Sequence, residues 1–185
     1  MAISCSIDKN LTKADFCGYS LKQIVNIYLA NFGDINGTDI KIEAADGYTV
    51  TAITATTKKF AKIEPAKDTA SYNDDLVIGG NGSKYRTHTI TFSFNGAYNA
   101  DLAAIVDELS LGKFVAVLEL SDGSAIMLGR QVGLEATAVS SLSEAAADGQ
   151  NGITVTLSAN VTEAALVVEE AALAAVKAAL VTAGA

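Results

Sequence analysis

Tryptophan is absent, proline occurs once as Pro65, histidine once as His88, and the two cysteines, Cys5 and Cys17, both lie near the amino terminus. Each scarcity removes a class of protein. Two thiols so placed describe neither a disulfide framework nor a zinc site, so free thiols in a reducing compartment are expected. A single histidine leaves little material for a histidine-dependent catalytic group. No stretch reaches the roughly 18 consecutive apolar residues of a membrane span. The richest tract, Ala164 to Ala185, is broken by Glu169, Glu170 and Lys177. The opening "MAISCSIDKN" has neither the basic segment nor the apolar run of a signal peptide, so a cytosolic origin and a soluble product are expected.

Basic charge is scarce in one half only. Residues 1–86 carry ten Lys or Arg against ten Asp or Glu, whereas residues 87–185 carry three against eleven, which accounts for the net charge of −8. Tight binding to nucleic acid needs clustered Lys and Arg to displace counterions, and an acidic surface repels phosphate. A nucleic-acid grip is therefore not expected, although repulsion suits a surface that DNA must pass without sticking. The chain is otherwise ordinary for a folded domain. Half of its 185 residues are apolar and 18% are charged, which excludes a disordered chain and allows one domain with appended arms.

Period-two alternation dominates. From Thr87 to Phe94 the odd positions are Thr87, Thr89, Thr91 and Ser93, and the even ones are His88, Ile90, Phe92 and Phe94. One face is dry and the other hydroxylated. The pattern returns where Ile153, Val155, Leu157 and Ala159 alternate with Thr154, Thr156 and Ser158. Asp122–Gly123 within "KFVAVLELSDGSAIMLG" and Asp46–Gly47 within "IKIEAADGYTVTAITA" mark two hairpins, since these residues tolerate the positive φ of a tight turn. The run "SLKQIVNIYLANF" reads as a strand buried on both faces or a short helix, and Ile24, Val25, Ile27 and Tyr28 favour the strand. One amphipathic helix is expected after Asn99, with Asp101 at its positive end, Leu102, Ile105, Val106 and Leu109 as its apolar stripe, and Gly112 as its stop. The Ala-rich tract "TEAALVVEEAALAAVKAAL" favours a second helix, whose thin polar stripe suits packing against another surface such as a neighbouring subunit. The fold class is thus mainly β with some α: a β-sandwich or rolled antiparallel sheet, one flanking helix and a carboxyl-terminal Ala-rich helix. The division expected is an arm over 1–19, a β domain over 20–160 with an extended hairpin at 68–86, and a helical extension over 161–185.

No catalytic, cofactor or metal constellation emerges, and the chain is not expected to be an enzyme. His88 sits on the apolar side of its strand, which favours a structural role. The segment "GGNGSK" lacks phosphate-loop spacing and precedes a strand, so it reads as a flexible turn. Asp74 and Asp75 lack the alternating partners of a calcium loop and read as a solvated or interface pair. Tyr72 and Tyr85 flank the glycine turn and suit cross-strand pairs or interface anchors.

The succession "VNIYLANFGDI", "KFAKIEPAKDTASYNDDLVIGGNGSKYRTHTITFSFNG", "GKFVAVLELSDGSAIMLGRQVGLEATA" and "GQNGITVTLSAN" resembles the major tail or tail-tube proteins of bacteriophages and prophages of gut anaerobes, from about Ser20 to Asn160. The resemblance implies a virion subunit, made in the bacterial cytoplasm, that self-assembles into stacked and commonly hexameric rings around a channel. DNA passes through without specific binding, and other tail proteins are the partners. No catalytic residues come with the family. The segment Asp68 to Arg86, with Tyr72, Asp74, Asp75, Lys84, Tyr85 and Arg86, corresponds to an assembly arm that reaches the next subunit or ring. The Ala-rich tract departs from the family pattern, in which the chain ends soon after the last strand. A tail-completion or baseplate protein with the same core fits nearly as well, and a non-viral β-sandwich binding module is a further alternative.

Assembly also follows from sheet physics, because open edges template pairing and a closed ring satisfies them. In such a ring the rows Thr87, Thr89, Thr91, Ser93 and Thr154, Thr156, Ser158 are the expected lumen-facing positions.

Overall fold

The computed structural model describes residues 22–35, 38–54, 60–94, 100–143 and 151–181. Cys5, Cys17, the expected capping residue Asn99 and the expected arm over 1–19 lie outside them.

The long strand run "IVNIYLAN" forms β1 (Ile24–Asn31), and the two Asp–Gly hairpins form β2 (Ile40–Ile42) with β3 (Thr49–Ile53) and β7 (Lys113–Leu120) with β8 (Ala125–Leu128). At their tips Gly47 and Gly123 adopt φ of 72° and 83°, as those turns require. The remaining strands are β4 (Ala61–Ile63), β5 (Ser71–Ile78), β6 (Lys84–Phe94), β9 (Leu134–Ser143), β10 (Asn151–Val161) and β11 (Leu166–Val168). Helix α1 covers Ala100–Leu111 and α2 covers Glu170–Ala178. The protein is mainly β with flanking helices, as the alternation indicates.

The strands form one continuous ladder in the order β2-β3-β11-β8-β7-β9-β10-β6-β5, with β1 on the other side of β7 and β4 outside β1. The ladder doubles over where β7 passes from β8 to β9, through the pairs Lys113–Glu135 and Phe114–Leu134. Gly129 makes the bend possible: its φ is 75°, and a Cβ there would stand 2.6 Å from Leu134 Cγ and 3.0 Å from the Phe114 carbonyl oxygen.

Doubling over creates two apolar layers. Between the two halves of the ladder, Ile27, Leu29, Ala116 and Leu118 meet Ile90, Phe92, Ile153, Val155 and Leu157, with Leu109 of α1 closing one side. On the opposite face of β1 and β7, Tyr28, Val115 and Val117 meet Val50, Met127, Leu166 and the α2 residues Ala172, Leu173 and Val176. Strands β1 and β7 are therefore buried on both faces, which is why their sequences run apolar with little alternation. In α1, Leu102, Val106 and Leu109 pack inward as expected, whereas Ile105 is 47% exposed.

The Ala-rich tract departs from a purely helical extension. Leu166–Val168 is a strand inserted between β8, antiparallel, and β3, parallel, the latter an exception to the antiparallel pairing expected. The helix begins only at Glu170 and packs on its own subunit's core. β-Branched Val167 and Val168 fit a pleated, half-buried position better than a helix, and the open edges of β3 and β8 supply the partners. Glu119 fixes α2 in place. It accepts hydrogen bonds from Tyr28 Oη at 2.7 Å, Asn26 Nδ2 at 2.7 Å and Lys177 Nζ at 2.6 Å. Burial alone would raise the Glu119 carboxyl, but these donors and the Lys177 charge hold it down at about 2. Burial and the same carboxylate push the Tyr28 phenol well above its ordinary value.

Candidate functional site

Strands β5 and β6 form the expected hairpin, yet most of it belongs to the sheet. β6 pairs with β10 from Arg86–Val161 through Phe94–Ile153, and β5 pairs with β6 from Ser71–Thr91 through Ile78–Lys84. Only residues 77–85 stand beyond the last β10 pair, so the free-standing part is shorter than the 68–86 expected. Its turn is built and not slack. Gly79 N–H donates to the Ser83 carbonyl at 2.8 Å, Gly82 N–H to the Gly79 carbonyl at 2.8 Å, and Ser83 N–H and Oγ both donate to Asn81 Oδ1. The sequence reading of a flexible turn is thus replaced by a closed one, stabilised by local side-chain bonds of the kind that Asn favours.

At the hairpin's base the six arm positions separate. Tyr72 packs on the inter-sheet core. Asp74 and Arg86 pair with each other, Arg86 Nε donating to Oδ1 at 2.7 Å and Nη2 to Oδ2 at 3.0 Å, while Ala165 N–H donates to Oδ2 at 3.0 Å. These contacts tie the hairpin to the crossing between β10 and β11. Burial opposes the charged Asp74, but Arg86 and the Ala165 amide outweigh it and hold the carboxyl below its ordinary value. The same pair raises Arg86. Directly across from Asp74 lies His88, 1% exposed. Gly129 N–H donates to its Nδ1 at 3.4 Å, whereas Nε2 has no hydrogen-bond partner and stands 3.6 Å from Asp74 Oδ1. Burial pushes the imidazole below its ordinary value against the opposing pull of Asp74 and Glu163. Asp75 and Lys84 are exposed, and Tyr85 is half-buried opposite Val77.

The hydroxyl rows come together as neighbours on the outward face of β6 and β10, not buried between sheets. Thr89 pairs with Ser158 at 3.0 Å, Thr91 with Thr156 at 3.1 Å, Ser93 with Thr154 at 2.7 Å, and Thr87 donates to Asn160 Oδ1 at 2.9 Å. Ser158 Oγ also donates to the His88 carbonyl at 3.1 Å, so its one proton is spent there and Thr89 is the donor in their pair. β5 extends this face with Ser71, Asn73 and Asp75 opposite Thr91, Thr89 and Thr87, and β9 extends it with Ser140 opposite Thr154. Among the described residues of this face the charges are Asp75 and the paired Glu135 and Lys113. No strand flanks the outer side of β5, or of β9 beyond Glu135, among the described residues.

Two further features were not legible beforehand. Leu76 and Ile78, 57% and 62% exposed, continue the inward face of β5 past the point where an opposing sheet covers it. A groove of about 800 Å³ opens between α1 and the β4–β1 edge, with an apolar floor that includes Leu29, Phe94, Leu109 and Phe114 and a rim carrying Asp34, Glu64 and Glu108. Alternation shows which residues share a face, but not where the opposing layer stops. Among the described residues no group of three or more His, Cys, Asp or Glu is arranged to hold a metal, and no helix is long and apolar enough to cross a membrane.

These features define a mainly β protein with an open-edged, hydroxyl-faced sheet and a projecting hairpin. Comparison with known proteins finds no matching family model, no matching curated protein and no matching solved structure.

Proposed function

We propose that the chain is a self-assembling structural subunit of a bacteriophage tail, forming stacked rings, most simply hexameric, around a channel through which DNA passes. The observation that carries this reading is the four-stranded half-ladder β5-β6-β10-β9, whose outer sides along β5 and along β9 beyond Glu135 have no strand partner among the described residues, and which presents an unbroken hydroxyl row between them. All three of its pairings are antiparallel. An even number of alternating strands leaves β5 and β9 running in opposite directions. Copies related by rotation about an axis along the strands then bring β9 of one beside β5 of the next in antiparallel pairing, and the ring closes these two edges.

In that ring the hydroxyl face lines the channel. Its side chains satisfy one another across the strands and carry no unpaired cation among the described residues, so phosphate finds water-like hydroxyls and no counter-charge to grip. The acidic excess of residues 87–185 works in the same direction. The subunit acts in the virion tail after synthesis in the host cytoplasm, with copies of itself and other tail proteins as partners.

A tail-completion or baseplate protein with the same core is the second reading. It is favoured by the integration of β11 and α2 into the core, since the resemblance implies a chain that ends soon after its last strand. Electron microscopy of the purified protein over a range of concentration and salt tests the proposal. Rings or tubes are expected, and a strictly monomeric particle at high concentration contradicts it.

A further inference from the structure

The two halves of an intersubunit contact lie exposed on one chain. The hairpin tip carries Leu76 and Ile78 on its inward face and the exposed cation Lys84, and its turn is closed by hydrogen bonds of its own. The groove between α1 and β4 offers an apolar floor, and Ile105 on its wall is 47% exposed. Of the four charged side chains lining it, Asp34, Glu64, Glu108 and Lys62, three are acidic, and Lys62 is spent on Glu64. Within one copy the tip and the groove do not satisfy each other, because Leu76 and Ile78 of the tip and Ile105 on the groove's wall remain exposed.

We propose that the hairpin tip of one copy seats in the α1–β4 groove of the next, with Leu76 and Ile78 on the apolar floor and Lys84 against the acidic rim. Charge complementarity selects this occupant: the segment 77–85 contains one cation and no anion, and the groove has an acidic excess. The volume suits it as well. About 800 Å³ falls within the range of preformed pockets and exceeds what two aliphatic side chains need. Because the turn is already closed on itself, little conformational entropy is lost on docking.

The contact is heterologous, tip to groove, so it repeats without being self-complementary. The tip projects along the strands, hence along the axis of the proposed channel, and the contact joins one ring to the next while the β5 and β9 edges join copies within a ring. This inference rests on the assembly reading and names the acceptor site it requires.

The test uses the full chain with Ile78→Asp, which blocks the tip, and Ile105→Asp, which blocks the groove, each imaged by electron microscopy beside the unaltered protein. Both positions are exposed, so unchanged thermal unfolding is expected, and Ile78→Ser and Ile105→Ser serve if the aspartates perturb folding. Tubes from the unaltered protein, single rings from each variant, and double rings without longer stacks from an equal mixture support the inference. The double ring is the signature, because only one tip–groove pairing survives in the mixture. Tubes that persist in both variants overturn the inference and leave the assembly reading standing. An unaltered protein that stays monomeric at high concentration overturns both.

Discussion

Residues 86–94 and residues 77–85 belong to the same hairpin, yet they live in different surroundings. The first stretch is paired by β10 throughout and by β5 as far as Thr91, and it buries Ile90 and Phe92 completely. The second keeps only its hairpin partner and exposes Ile78 at 62%. Ile78 lies on the same inward face of the hairpin as Ile90 and Phe92, so the difference comes from what lies opposite: an apolar residue facing a second sheet is core, and one beyond the reach of that sheet stays exposed. The boundary is fixed by the Asp74–Arg86 pair and His88, which clamp the hairpin where it leaves the sandwich.

The largest loss is expected within the buried stretch. Phe92→Ala is expected to lower stability by about 3–5 kcal/mol in denaturant unfolding, because the site is closed on all sides and leaves a cavity. Ile78→Asp, by contrast, should leave the unfolding midpoint unchanged. Equal losses from the two would erase the distinction between core and tip.

Acid weakens the fold through Glu119. Glu119 titrates at about 2 when folded, against 4.5 for the ordinary carboxyl. The folded-state value is depressed, so the contribution is fully present above about pH 4.5 and is lost as pH falls toward 2. Its magnitude is on the order of 3 kcal/mol. Urea unfolding across this range should show that slope, and Glu119→Gln should flatten it. His88 adds a slope of the same sign at milder acidity. Its folded imidazole binds a proton less readily than the unfolded chain does, so stability declines as pH drops below about 6.5.

At the boundary, Asp74→Ala leaves Arg86 and the Ala165 amide without their acceptor. Stability is expected to fall by about 2 kcal/mol, less than the roughly 3–5 kcal/mol of a fully buried pair because Arg86 keeps some access to water. Hydrogen exchange at β5 should rise more than at β10, and equal acceleration of both strands would show that the clamp is not local.

The smallest effect belongs to the hydroxyl face. Replacing Thr91 and Thr156 together by Val removes one cross-strand pair without stranding either hydroxyl, and a change of less than about 1 kcal/mol is expected. A large loss would mean that the row holds the monomer together and is not a surface available to line a channel.

Much of this architecture is legible in the order of residues. The alternation of Thr87–Phe94 and Ile153–Ala159 marks two strands and the face each buries, and two Asp–Gly pairs mark two hairpins. Leu166–Val168 escapes notice because three strand residues sit among strong helix formers, and only the open edges of β3 and β8 decide their state. The clamp escapes for a different reason. Asp74 and Arg86 meet diagonally, so their pairing depends on the length and closure of the turn between them. Glu119 and Lys177 lie 58 positions apart and meet only once α2 is docked.

The central claim is that the β5 and β9 edges close a ring whose inner wall is the hydroxyl face. High-resolution electron microscopy of the assembled particle tests it most directly. The account predicts a closed channel wall built from β5, β6, β10 and β9 of each copy, with Thr89, Thr91, Thr154 and Thr156 facing the lumen. A ring that turns α2 or the α1–β4 groove toward the channel, or one that leaves the β5 edge unpaired, would contradict it.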